Sequence, residues 1–263
     1  MSDTDTNPGD ALRSTATDHY NAARLDDALA TWEQALELDA ADHRAWAGKG
    51  LTLGAMGEYE AAIAAYTRAV SLKKDFAIAW FQRAEAHRAL FQLEQAIEDY
   101  NESIRIGPTD QAWFGRALAH TALSDFEAAL GALTSCIDIN PDHAEAYLNR
   151  AYLLGYQGKL SAALADFDIA IDELQLLDAI AIGSRAMTRL ARGDFAGAIA
   201  DFETASTVAP DSWRPLAGLA AAHAEAGNME KARKAMNDAS ARVPADEREE
   251  FDDMRAQVFD DAQ

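Results

Sequence analysis

The sequence predicts an all-α fold built from stacked antiparallel helix pairs. About one residue in five is alanine, whereas the 263 residues include only 15 glycines and 6 prolines. Alanine is the best helix former and glycine and proline break helices, so this composition favours helix. The strongest observation is an internal repeat of about 34 residues that runs through nearly the whole chain.

A triplet of small, large and small residues carries the repeat. Each alanine of the first column is followed four residues later by a large apolar residue and seven residues later by a small one. Every insertion or deletion falls between triplets, which places each triplet on one helix. The first column consists of Ala28, Ala62, Ala96, Ala129, Ala163, Ala198 and Ala232. A preceding helix is indicated by Trp46, Trp80, Trp113 and Tyr147, each followed four residues later by glycine or alanine.

This pattern resembles the tetratricopeptide repeat family, whose unit is a helix–turn–helix of about 34 residues. The resemblance implies a right-handed superhelical α-solenoid of seven repeats over residues 9–246. A disordered acidic tail is expected at residues 1–8 and an acidic capping helix within 247–263. In that helix Phe251, Met254 and Val258 form an apolar stripe.

Turn residues predict where the helices begin and end. Left-handed residues that end the first helices are expected at Gly57, Gly158, Gly193 and Gly227. N-caps of first helices are expected at Asp42, Asp110 and Asp142. One junction is irregular, because residues 174–183 (LQLLDAIAIG) gain one residue and are very apolar for a turn. Either the second helix is extended there by one turn, or the segment forms an exposed apolar patch or a hinge.

The charge excludes two classes of partner. There are 44 acidic and 23 basic residues, giving a net charge of −21. Nucleic acids and anionic membrane surfaces both require clustered lysine and arginine, so neither is expected as a partner. The acidic residues are concentrated at the two ends of the chain. Three explanations of the acidic ends stay open. They prevent self-association of the helix stack, they attract a basic partner, or they reflect a salt-loving host.

No sequence feature points to catalysis, a cofactor or a bound metal. There is no phosphate-binding, zinc-protease or serine-nucleophile motif, and the one cysteine, Cys136, lies at a packing position. Four histidines recur at one position of separate repeats, too far apart to share a metal: His19, His87, His120 and His223. Without a secretory signal or a membrane-length apolar stretch, a cytoplasmic protein that does not insert into membranes is expected.

A polar pair recurs inside the repeats. Arginine at position 7 of a first helix faces aspartate at position 23 of the second helix, which supplies the acceptor that a guanidinium needs. The predicted structural pairs are Arg83–Asp99, Arg150–Asp166 and Arg185–Asp201. Arg116 faces Ala132 instead, so it must find another acceptor or point outwards.

The family resemblance also implies a binding groove, lined by set positions of the first helices. Carried over to this sequence, the partner-binding residues are Arg44, Phe81, Glu85, Arg88, Phe114, Leu118, Leu148, Asn149, Tyr152 and Met187. The lysine and arginine pattern that holds a peptide carboxylate in chaperone-binding members is absent. Apolar anchors in the third to fifth repeats are expected instead.

These features together predict a non-enzymatic adaptor or scaffold that binds a peptide or protein segment in the concave groove. Two alternatives stay open. The chain is a non-catalytic subunit of a multi-chain enzyme or assembly machine, or it is a self-associating structural protein. The sequence leaves the oligomeric state open.

Overall fold

The computed structural model describes residues 8–260, which fold into fifteen α-helices and contain no β-strand. The all-α prediction is therefore confirmed. The expected disordered tail at residues 1–8 lies outside the described residues, except for Pro8, which begins the first helix. The chain forms two compact units, Met1–Pro141 and Asp142–Gln263, called here the N-terminal and C-terminal units.

Eight helices form the described part of the N-terminal unit. They are α1 (Pro8–Asn21), α2 (Leu25–Leu38), α3 (His43–Ala55), α4 (Tyr59–Leu72), α5 (Ala77–Ala89), α6 (Leu93–Ile106), α7 (Asp110–Ala122) and α8 (Phe126–Ile139). Each odd-numbered helix packs on the even-numbered helix that follows it, and each of α2, α4 and α6 packs on the next odd-numbered helix. Short turns make these neighbours antiparallel.

The C-terminal unit continues the same pairing. Its helices are α9 (Ala144–Tyr156), α10 (Leu160–Asp168), α11 (Ala179–Ala191), α12 (Phe195–Val208), α13 (Arg214–Glu225), α14 (Met229–Ser240) and α15 (Arg248–Asp260). A π-helical turn, Ile169–Glu173, follows α10, and a 3₁₀ turn, Ala245–Glu247, precedes α15.

The repeated residues are buried where the helices meet. All seven alanines of the first column are 0% exposed. The aromatic residue that follows packs closely on the next repeat, as Tyr100 of α6 does against Gly115 of α7. A Cβ added at Gly115 would lie 2.5 Å from the Tyr100 ring, so only glycine fits this approach. The period thus reflects the tight spacing of helices from neighbouring repeats.

The four predicted left-handed turns are present, and three further repeats form the same turn without glycine. Gly57, Gly158, Gly193 and Gly227 have φ between 72° and 82°. Ala23, Phe91 and Ser124 take the same place in other repeats with φ of 55–60°. Backbone hydrogen bonds close these turns whichever residue stands there.

Two of the three predicted N-caps are wrong. Asp42 does cap α3, and its carboxylate accepts from the backbone N–H groups of Arg44 and Ala45. Thr109 rather than Asp110 caps α7, because the threonine hydroxyl accepts from the N–H of Ala112. Residue 143, not Asp142, directly precedes α9.

The irregular junction is not a longer helix. Helix α10 and the π-helical turn together end at Glu173, and α11 begins at Ala179. The prediction of an extension by one turn is therefore wrong, since residues 160–173 have the length of a regular second helix. The inserted residue lies in the segment 174–178, which has five residues where the segments before α3, α5 and α9 have four. Leu177 and Ile180 are 72% and 73% exposed, which agrees with the alternative of an exposed apolar patch.

Helix α15 covers the last repeat. Phe251 is 0% exposed and meets the Trp213 ring edge-on, with 5.5 Å between the ring centroids. The Trp213 indole N–H donates to Glu247 over 2.7 Å. Arg214 adds contacts to Glu247 and Glu250 at 2.8 and 2.7 Å. The predicted stripe on this helix faces inwards, because Met254 and Val258 also pack on the cluster around Trp213.

The contact between repeats gives a test with a built-in control. We expect Gly115→Ala to destabilise the protein by about 1–3 kcal/mol, because the new methyl group overlaps the buried Tyr100 ring. Gly131→Ala on the adjacent helix α8 meets nothing within 4 Å, so it should stabilise the helix by up to about 1 kcal/mol. Urea denaturation followed by circular dichroism measures both. Equal effects of the two changes would contradict the packing described.

Candidate functional site

The first helices of neighbouring repeats share one face of each unit. Helices α1, α3, α5 and α7 contact one another in sequence in the N-terminal unit, as α9, α11 and α13 do in the C-terminal unit. The predicted groove residues lie on these helices. We call this surface the first-helix face of each unit.

The first-helix face of the N-terminal unit contains a cavity of about 270 Å³, called here the N-terminal pocket. Small residues leave the space open, aromatic rings wall it, and a few polar side chains reach into it. Its lining residues are Tyr20, Leu51, Gly54, Ala55, Tyr59, Tyr66, Gln82, Glu85, Ala86, Arg88 and Ala89. Of the predicted groove residues, Glu85 and Arg88 therefore come together here.

Glu85 and Arg88 are held in place by a buried tyrosine. Arg88 Nη2 donates to Glu85 Oε2 over 2.7 Å, and Arg88 Nε donates to the Tyr100 hydroxyl over 3.3 Å. The Tyr100 hydroxyl in turn donates to the Glu85 carboxylate. Tyr100 is 0% exposed, and burial with the neighbouring Glu85 charge raises the pKa of its phenol. The phenol stays protonated at neutral pH, so the pocket keeps one carboxylate and one guanidinium in fixed positions.

Two predicted anchors prove to be packing residues. Phe81 is half-buried against the core of the third repeat, with its ring centroid 6.1 Å from that of Tyr100. Leu148 packs on the buried cluster of the C-terminal unit. Asn149 donates its side-chain N–H to the backbone oxygen of Glu145 in its own helix, over 2.7 Å. Phe81 therefore contributes to the packing of its repeat, because the interface between repeats covers part of its ring.

The other predicted groove residues differ in exposure. Phe114 and Leu118 on α7 are half-buried, and Arg44 on α3 is exposed. Tyr152 and Met187 in the C-terminal unit are 36% and 54% exposed. The predicted groove residues therefore fall into a half-buried group and an exposed group, which their positions in the repeat did not distinguish.

The predicted groove positions include only some of the exposed apolar residues of the C-terminal unit. Ile180 is the second residue of α11, and Leu177 lies just before that helix. We call the exposed set on α9, α11 and the segment before α11 the C-terminal apolar patch; it consists of Tyr152, Tyr156, Leu177, Ile180 and Met187. The sequence signal that could have found Ile180 was the apolar run at 174–183.

The three predicted Arg–Asp pairs are bidentate contacts between the helices of a repeat. Arg83 and Asp99 are joined at 2.7 and 2.6 Å. Arg150 reaches Asp166 at 2.7 and 2.8 Å, and Arg185 reaches Asp201 at 2.9 and 2.8 Å. All three aspartates are at least 95% buried. These arginines fix the helix pair and do not extend into the groove.

Arg116 has different partners, because its repeat has Ala132 where the other three have aspartate. Its guanidinium lies 4.2 Å above the Trp113 ring, and Nη1 donates to Asn101 over 2.9 Å. The buried Nε has no hydrogen-bond partner, and burial lowers the pKa of this arginine. Arg116 therefore uses an amide and an aromatic face instead of a carboxylate.

Arg185 belongs to a larger network that the sequence did not indicate. Its Nη1 atom also donates to Asp168 and Asp172 at 3.0 and 2.7 Å. Arg189 joins Asp201 to Asp168 at 2.8 and 3.1 Å. Asp172 lies in the π-helical turn, so this turn gives Arg185 its additional acceptor.

Residues 8–260 contain neither a candidate metal-binding group nor a candidate membrane-spanning helix. No group of three or more histidine, cysteine, aspartate or glutamate side chains there is placed to hold a metal ion. None of the described helices is long and apolar enough to cross a membrane.

Comparison with known sequences identifies the family. One sequence model described as tetratricopeptide repeat matches residues 48–111 and 114–176, and a second of the same description matches residues 189–258. The matches cover about three quarters of the chain. The protein belongs to the tetratricopeptide repeat family. Members bind protein or peptide partners, and their fold is typically non-catalytic.

Solved structures show the same fold. YrrB, described as a tetratricopeptide repeat protein with an unusual peptide-binding site, is 21% identical with a TM-score of 0.62, covering 70% of this chain and 95% of that one. A tetratricopeptide repeat protein from Parabacteroides merdae is 20% identical with a TM-score of 0.63, covering 95% and 98%. PilF of Pseudomonas aeruginosa is 15% identical with a TM-score of 0.69, covering 79% and 94%.

The curated relatives match over a short segment. Serine/threonine-protein phosphatase 5 of Rattus norvegicus and of Homo sapiens is 26% identical over 100 residues. This segment is 38% of the present chain and 20% of the phosphatase. The chain thus spans about a fifth of the length of these relatives.

The Arg–Asp pairs predict opposite effects at two equivalent positions. Asp166→Ala should destabilise the protein by about 3–5 kcal/mol, because it leaves Arg150 without its buried acceptor. Ala132→Asp places a carboxylate opposite Arg116 and should stabilise the protein by about 1 kcal/mol. Urea denaturation measures both free energies of unfolding. A loss of stability in Ala132→Asp would show that Arg116 does not face position 132.

Proposed function

We propose that this protein is a non-enzymatic adaptor that binds a peptide or protein segment in the N-terminal pocket. The observation that carries the proposal is the pocket itself. It combines an open floor of glycine and alanine, tyrosine walls, and a carboxylate–guanidinium pair fixed by Tyr100.

The lining suits a peptide in two respects. Tyr20, Leu51 and Tyr59 offer apolar surface for one side chain of a partner. Glu85 accepts hydrogen bonds and Arg88 donates them, which matches the donor and acceptor that each residue of a peptide backbone presents. The fold that the chain shares with YrrB, a protein described as having a peptide-binding site, supports the same assignment.

Binding rather than turnover fits the chemistry of this pocket. The charges of Glu85 and Arg88 are paired with each other at 2.7 Å, so neither is a free acid or base. No histidine, cysteine or serine lies among the residues that line the pocket. In the C-terminal unit, Tyr152 and Met187 remain proposed contact residues as members of the C-terminal apolar patch.

Filling the pocket tests the proposal. A Cβ added at Gly54 meets nothing within 4 Å, so Gly54→Leu is expected to occupy the pocket without disturbing the fold. The matched control is Gly131→Leu on α8, where the added Cβ also meets open space. Both variants should melt at or above the wild-type temperature, because leucine forms helix better than glycine.

The readout is capture of partners from native lysate by the tagged protein, followed by mass spectrometry. We expect the wild type and Gly131→Leu to capture the same partner and Gly54→Leu to lose it, with affinity reduced at least about tenfold. If Gly54→Leu folds normally and still captures that partner, the N-terminal pocket is not the binding site.

A further inference from the structure

The turn between α5 and α6 has a residue that the fold does not favour. Phe91 occupies the left-handed position with φ of 55°, where four other repeats have glycine. The turn is closed by hydrogen bonds from Phe91 N–H to Arg88 O and from Gln92 N–H to His87 O. Equivalent bonds close the turn at Gly57. Glycine would therefore satisfy this backbone with less steric strain than phenylalanine.

The Phe91 side chain gains no burial in return. It is 82% exposed, the highest value among the exposed large hydrophobic residues of the described chain. Leu123 directly follows α7, in the equivalent turn of the next repeat, and is 40% exposed. Because α7 packs on both α5 and α6, these two turns lie on the same edge of the N-terminal unit. We call the surface around Phe91 and Leu123 the turn edge.

Acidic residues follow both apolar side chains in the sequence, and the nearest arginine, Arg88, is paired with Glu85 at 2.7 Å. Glu94 and Glu127 lie in the first turns of α6 and α8, and Asp125 caps α8. Residues 89–104 and 117–141 contain no lysine or arginine. Within the described part of the chain, no lysine or arginine lies within 4.0 Å of these three carboxylates; only the His120 ring approaches Asp125, at 3.3 Å. The turn edge thus combines two exposed apolar side chains with three acidic residues that lie within four positions of them in the sequence.

We propose that the turn edge is a second docking surface, separate from the N-terminal pocket, for a protein segment with an apolar side chain flanked by lysine or arginine. The apolar side chain would pack on Phe91 and Leu123, and the cationic flanks would face Glu94, Asp125 and Glu127. A second copy of this chain fits poorly, because its net charge is −21 and like charges would face each other.

Replacing Phe91 by glycine separates binding from folding. The probe is a short fluorescein-labelled peptide built from leucine and lysine, titrated by fluorescence anisotropy at about 0.15 M salt. We expect Phe91→Gly to weaken binding at least about fivefold while the melting temperature stays equal or rises. A fall in melting temperature would overturn the proposal, because the ring would then be a packing residue. Unchanged peptide affinity would overturn it as well.

Matched controls exclude general apolar or charge effects. Leu38→Ala removes a 60% exposed leucine at the far end of a second helix and should leave peptide affinity unchanged. Glu94→Gln with Glu127→Gln should weaken binding more than Glu249→Gln with Asp253→Asn on α15, although both lower the charge equally. A serine-and-lysine peptide of the same charge should bind more weakly. Equal effects in any of these comparisons would overturn the proposal.

Two further outcomes separate this surface from other sites. Gly54→Leu should not change peptide affinity; a loss there would place the peptide in the N-terminal pocket and overturn the present assignment. Light scattering of the free protein tests the second-copy alternative. If the free protein is a dimer and Phe91→Gly converts it to a monomer, the occupant of the turn edge is a second copy. That result would overturn the proposal of a cationic segment.

Discussion

The contact on which the structure depends is an aromatic ring seated on a glycine of the next repeat. Trp32 packs on Gly48, Tyr100 on Gly115 and Phe202 on Gly218, each time so closely that a Cβ would overlap the ring. At these three junctions the contact sets the distance between a second helix and the following first helix. First helices then meet on one face, and repeats gain their stability mainly from such neighbours.

The same contact shapes the candidate site. The Tyr100 ring lies on Gly115, while its hydroxyl reaches Glu85 and Arg88 on the preceding first helix. One side chain therefore fixes both the step between two repeats and the polar wall of the N-terminal pocket. The Arg–Asp pairs serve a different purpose, because they tie together the two helices of one repeat. Their buried aspartates explain why these arginines are not free to bind a partner.

The fold could be predicted because the sequence is periodic. The site could be predicted only in part, because the sequence does not show which side chains are buried. The alanine column and the Arg–Asp pairs repeat at fixed spacing, so the sequence alone placed them. The predicted groove positions included Phe81, which its neighbours partly cover, and did not include Ile180, which is exposed. The inserted residue near 174 was visible in the sequence, but the π turn at Ile169–Glu173 and the contact of Asp172 with Arg185 were not. Tyr59 and Tyr66 line the pocket from a second helix, which the first-helix positions do not include.

Occupation of the N-terminal pocket by a partner can be measured by hydroxyl-radical footprinting with mass spectrometry. The protein is labelled alone and with the partner it captures, and side-chain oxidation is compared residue by residue. Tyr20 and Tyr59 should lose reactivity in the complex, whereas Leu38, which is 60% exposed at the end of α2, should keep it. Unchanged reactivity of both tyrosines in a saturated complex would contradict occupation of the pocket.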